Sequence, residues 1–160
     1  MLQALLEDRF QLQLHREMHE LQLYNLTIAK KGLKLSKSAC EPFDMVHPQP
    51  PPKPGEKPPY ICGSASERGS GPNWTLNATG MSMPELARNL SQRLGRTVVD
   101  QTSTTGIFDI HLTYAREQTA DPDTPSIFSA LQEQLGVKLE SSKGPVEILV
   151  IDRVAKPSAN

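Results

Sequence analysis

The stretch MSMPELARNLSQRLGRTVVDQTSTTGIFDIHLTY, residues 81 to 114, reads as a helix followed by two strands. Leu86, Leu90 and Leu94 recur every fourth position, which lays one apolar stripe along a helix. Ser82 stands where an N-cap belongs, Pro84 and Glu85 suit the first turn, and Gly95 suits the left-handed residue that ends a helix. Val98 and Val99 open a strand. From Ile107 to Tyr114 the chain alternates, with Phe108, Ile110, Leu112 and Tyr114 on one face and Asp109 and His111 on the other.

The same grammar extends in both directions. Toward the end, TPSIFSALQEQLG (124–136) reads as a helix with Thr124 as cap, Pro125 in the first turn and Ile127, Phe128, Leu131 and Leu135 facing inward. VKLESS and PVEILVIDRV follow as strands, with Lys143-Gly144 as the turn between them. At the start, Leu2, Leu5, Leu6 and Phe10 are helically spaced. Alternating leucines then suggest two strands that turn around Glu17 to Glu20. Three helix–strand–strand segments imply an α+β fold: a mixed or antiparallel sheet with helices packed on one face. The organisation expected is a first helix–hairpin unit over 1–35, a Pro/Gly-rich insert over 36–80, and two further units over 81–160. One domain overall is the alternative.

The insert differs in composition. HPQPPPKPGEKPP (47–59) supports neither a ladder nor a helix and reads as a polyproline-like loop, while GSASERGSGPN (63–73) reads as flexible. Cys40 and Cys62, the chain's two cysteines, bracket the proline-rich part. A disulfide there would stabilise the fold by about 3 kcal/mol and would require an oxidising compartment. The alternative is two unlinked thiols. The spacing does not fit a CxxC redox or zinc motif.

Charge narrows the partners. Seventeen basic and eighteen acidic side chains leave a formal net charge of -1. Nucleic-acid binders carry a clustered basic excess, so the balance argues against that class. No apolar stretch is long enough to span a bilayer, and Met1 to Phe10, with Glu7, Asp8 and Arg9, does not read as an export signal.

Candidates for chemistry are few. There is no G-x-S-x-G elbow and no lysine-bearing phosphate loop. His15 and His19 would share a metal if they lay on one helical turn with Glu17. On a strand they fall about 13 Å apart, too far to share an ion. Asp109 and His111 read as a solvated pair, or as an acid–base pair if they line a groove. Asp121 and Asp123 offer oxygens to calcium without the twelve-residue loop pattern, and a helix-entry loop accounts for them better. Trp74 serves either as a core plug or as a ligand contact.

Three blocks carry a resemblance: MLQALLEDRF with the following HRE, the segment from Leu86 to Tyr114, and SIFSALQEQLG through VEILVID. Together they resemble a large, uncharacterised domain family expanded in soil bacteria, particularly acidobacteria, over nearly the whole chain except the proline-rich insert. Members usually carry a further N-terminal portion, often behind an export signal. The resemblance therefore implies a periplasmic or extracellular home and supplies no catalytic residues. A weaker likeness links the helix–strand pairs to the short N-terminal domain of secretins and TonB-dependent receptors. The function expected is a non-enzymatic envelope module that binds a protein, peptide or glycan, without a cofactor. A sensor domain regulating a membrane-bound partner is a further option. The rival is a small calcium-dependent hydrolase of acyl or lactone esters, using His111, Asp109 or the His15/His19 group.

Overall fold

The computed structural model describes residues 2–40, 62–71, 73–115 and 124–156. The proline-rich stretch, Asp121 and Asp123 lie outside the described residues. In chain order the elements are α1 (Leu2–Phe10), β1 (Gln13–Ile28), β2 (Ser36–Lys37), β3 (Ser64–Ser70), β4 (Asn73–Met81), α2 (Met83–Leu94), β5 (Val98–Asp100), β6 (Phe108–Ala115), α3 (Ile127–Ala130) and β7 (Val137–Arg153). A π-helical segment, Leu131–Leu135, continues α3. The fold is α+β with two sheets, one in the order β5-β1-β7 and the other β2-β6-β4-β3. By contacts the chain divides into a central unit, residues 24–141, and a terminal unit formed by residues 1–23 and 142–160.

The central unit holds the core. Its antiparallel sheet turns Leu76 and Ala78 of β4 and Phe108, Ile110, Leu112 and Tyr114 of β6 inward, as the alternation of β6 requires. Helix α2 covers that face with Met83, Leu86, Ala87 and Leu90. Leu86, Leu90 and Leu112 are fully buried, and each such side chain contributes about 2 kcal/mol through removal from water. At the helix start the Glu85 carboxylate accepts from both the backbone N–H and the hydroxyl of Ser82, at 2.8 and 2.7 Å. Gly95 ends α2 in the left-handed conformation, at φ 60°.

Several sequence expectations are corrected. Of the three segments, only the middle one is a helix followed by two strands. Neither outer hairpin forms, because β1 and β7 each run unbroken through the expected turns. Gly144 sits in mid-strand, where a Cβ would come within 3.1 Å of Leu23 Cδ2. It permits a close approach and not a turn. From His15 to Gln22 every residue of β1 is exposed, so no buried face imposed an alternation that would have revealed the strand.

The expectation of a flexible segment over 63–73 also gives way. Residues 64–70 form β3, paired with β4 from Ser64↔Thr79 to Ser70↔Asn73. Pairing with a neighbour that is itself anchored in the core overrides the low strand preference of Ser and Gly. Trp74 supplies the missing side-chain volume: it lies opposite Gly69, and a Cβ on Gly69 would overlap its ring.

Helix α3 is capped by Ser126, not Thr124; the Ser126 hydroxyl oxygen accepts from Ser129 N at 3.3 Å. Ile127, Ala130, Leu131 and Leu135 are buried, whereas Phe128 falls one residue off that stripe and is 42% exposed. Its ring meets Tyr24 edge-on, with centroids 5.7 Å apart.

Candidate functional site

The exposed candidates His15, Glu17 and His19 belong to the terminal unit, where the first part of β1 lies beside the second part of β7. His15 meets Asp152 and Leu23 meets Gly144, so the two strands run antiparallel. His15, Glu17 and His19 alternate along β1 and therefore share a face. Glu17 bridges the gap between the two histidines: one carboxylate oxygen lies 2.7 Å from His15 Nε2, the other 2.6 Å from His19 Nε2. His15 Nδ1 is 2.8 Å from Asp152 Oδ2. With a carboxylate at each ring nitrogen, protonated His15 can donate twice. Its pKa is raised, first by Asp152 and then by Glu17. The two histidines hold the Glu17 carboxyl below its ordinary range. Arg16 donates to Glu147 at 2.5 Å, again from β1 to β7.

This cluster is an ionic seam. Among the described residues no group of three His, Cys, Asp or Glu side chains is arranged to hold a metal. Every one of its members lies on the surface, so its pairs are solvent-screened.

The same unit exposes much apolar surface. Of the eight large hydrophobic side chains exposed among the described residues, six belong to it: Leu5, Met18, Leu21, Leu149, Ile151 and Val154. Leu149, Ile151 and Met18 are each at least 60% exposed. Among the described residues of this unit the only buried hydrophobic is Leu23, whereas the rest of the buried set lies in the central unit. Along β7, Glu147, Leu149, Ile151 and Arg153 form the open face, with Val146, Ile148 and Val150 half-buried behind them. A two-stranded ribbon with so little buried surface is marginal in water.

The edge of β7 is open as well. It stands last in its sheet order, so among the described strands nothing pairs with its outer side. The central unit treats an edge differently. Gln134 places its carboxamide against Thr113 of β6, accepting from the backbone N–H at 3.0 Å and donating to the carbonyl at 2.7 Å. Such side-chain capping blocks strand addition. At the opposite edge, β3 carries the polar sequence SASERGS.

The other described sequence candidates belong to the central unit. Asp109 and His111 share the outward face of β6 but engage different partners. Asp109 accepts from Gly80 N at 3.1 Å, and His111 Nδ1 lies 2.6 Å from Asn77 Oδ1. Trp74 is a half-buried strand residue against the core, not part of a polar loop. Cys40 and Cys62 are joined as a disulfide with Cα atoms 5.4 Å apart.

Sequence reasoning missed one polar cluster. The Tyr114 hydroxyl donates to Glu67, and Arg93 contacts both Tyr114 and Glu67, so β3, β6 and α2 meet at one point. Burial and the hydrogen bond to Glu67 raise the Tyr114 pKa. The available signal was Tyr114 itself, since a hydroxyl at the end of an inward-facing alternation needs a partner.

A family model described as a protein of unknown function (DUF3738) matches residues 1–154. The chain belongs to that family. The DUF3738 match runs through both units and includes the exposed strands of the terminal one. No curated protein and no solved structure matches the chain.

Proposed function

We propose that this DUF3738 chain is a non-enzymatic interaction module whose terminal unit takes an extended segment of a protein along the open edge of β7. One observation carries the reading. The terminal unit displays most of the exposed large hydrophobics while burying almost none, and its β7 edge has no strand partner among the described residues. Exposed apolar surface of this kind marks interaction sites, and an open edge offers main-chain hydrogen bonds to an added strand. An apolar, β-branched edge suits a peptide better than a glycan. The Cys40–Cys62 disulfide supports an oxidising compartment, in keeping with a place in the cell envelope.

The test is to pan a phage library of random twelve-residue peptides against the wild-type protein. The folded Leu149→Lys/Ile151→Lys variant serves as counter-selection. Binders that require Leu149 and Ile151 and alternate apolar with polar positions are expected. Recovery only of peptides that bind both proteins equally would overturn the reading.

A further inference from the structure

Resting on that reading of the open edge, we infer that its partner is a second copy of this chain, with the two β7 strands paired antiparallel about Val150. The argument is one of register. Two adjacent antiparallel strands of a closed dimer are related by a two-fold axis perpendicular to the sheet. That axis keeps each residue on its own face, so it must pass through a residue position.

Four centres are available along the apolar part of β7, and they differ sharply. A centre at Ile148 sets Glu147 against Leu149 and brings Lys143 opposite Arg153. One at Leu149 sets Glu147 against Ile151, and one at Ile151 sets Leu149 against Arg153. The centre at Val150 alone places Glu147 opposite Arg153 and Leu149 opposite Ile151, each twice. These four residues make up the exposed face of the strand from residue 147 onward. Opposite charges and apolar pairs directly across a ladder each contribute about 0.2–1 kcal/mol, and like charges there are unfavourable.

The existing ion pairs leave this register open. Arg16 takes Oε1 of Glu147, so Oε2 remains for Arg153 of the second copy. Arg153 forms no ion pair among the described residues of its own chain. On the half-buried face Val150 meets Val150. The one mismatched pair is Ile148 with Asp152, whose carboxylate stays on its own His15 at the solvent-facing side.

Cross-linking and charge exchange test the register in the intact chain. Both native cysteines are in the disulfide, so the variant Val150→Cys carries a single free thiol. A short bis-maleimide is expected to join Val150→Cys into dimers, because the central pair lies about 5 Å apart across the ladder. Lys143→Cys, far from the axis, is expected to stay uncoupled. In sedimentation, the wild-type mass should rise with concentration toward that of two chains. Glu147→Arg and Arg153→Glu, once shown folded by circular dichroism, should each sediment as a monomer and associate when mixed, since mixing restores both opposite-charge pairs. A wild-type protein monomeric throughout, a dimer that the thiol of Val150→Cys does not couple, or folded charge variants that fail to associate on mixing would each overturn the second copy as partner. Peptide binding by a protein that stays monomeric would defeat this proposal and leave the interaction-module reading standing. Coupling of Val150→Cys into dimers together with a failed peptide selection would support the second copy as the occupant of the edge and overturn a separate peptide as its ligand.

Discussion

Gly80 lies directly beneath Cys40: its φ is +62°, and a Cβ there would overlap Cys40 Sγ and lie 3.2 Å from both Cβ and Sγ of Cys62. Glycine is required twice over, for the left-handed backbone and for the space the disulfide occupies. Gly80→Ala should therefore destabilise the chain by about 2–4 kcal/mol in urea unfolding. In a Cys40→Ala/Cys62→Ala background the same substitution should cost less, because only the backbone strain remains. Equal costs in the two backgrounds would show that the disulfide does not press on residue 80.

Tyr114→Phe removes the hydroxyl that joins Glu67 to Arg93 while leaving those two in contact. A loss of about 1–2 kcal/mol is expected by chemical denaturation. The raised pKa of Tyr114 adds a pH signature. Its stabilising contribution is complete below the ordinary tyrosine value of about 10 and fades as pH rises through the higher folded value. Wild type should consequently lose stability at alkaline pH more steeply than Tyr114→Phe.

The ionic seam gives a second pH dependence with two edges. His15 is raised, so its contribution is complete below its ordinary value of 6.5 and is lost as pH climbs through the raised one. Glu17 is lowered, so its part is complete above its ordinary value of 4.5 and is lost as pH falls through the lowered one. The seam is tightest between those ordinary values. In NMR titration the His15 midpoint should exceed 6.5 and should fall in Asp152→Asn, since Asp152 is the larger cause. About 1 M salt should bring it back toward the ordinary value, because both partners are exposed.

Asp109 and His111 lead to a sharp test of the hydrolase alternative, since they engage Gly80 and Asn77 and not each other. Purified protein screened on short aryl esters and acyl lactones, with calcium and with chelator, should show no activity above a mock purification. Turnover that disappears in folded His111→Ala or Asp109→Asn would establish an enzyme and defeat the interaction module.

Sequence was most informative where burial dictated the pattern. The Leu86, Leu90 and Leu94 spacing with Gly95 defined α2, and the alternation from Phe108 to Tyr114 defined β6, because each element presents one face to a core. Where burial is absent the signal fails. Residues 15 to 22 of β1 lie open on both faces, so Glu17 to Glu20 imitated a turn. Gly144 imitated another, although its lack of a side chain serves contact with Leu23. β3 was illegible for a third reason, since its pairing depends on β4 and on the Trp74 ring covering Gly69. The candidate site was half visible. His15, Glu17 and His19 were singled out, but Asp152, the cross-strand partner of His15, lies 137 positions away in sequence.

That separation has a consequence for how the chain is made. His15 and Asp152 are 137 positions apart, and Phe10 accepts a backbone hydrogen bond from Ala155. Contacts spanning nearly the entire length carry the largest loop-closure cost and form slowly. During synthesis the first strand leaves the ribosome long before its partner exists. The core residues between Leu26 and Val137 emerge in full while β1 still waits for residues 142 to 153. The seam between β1 and β7 is thus a late event in folding, and the open edge of β7 is completed only once residues 142 to 153 have been delivered.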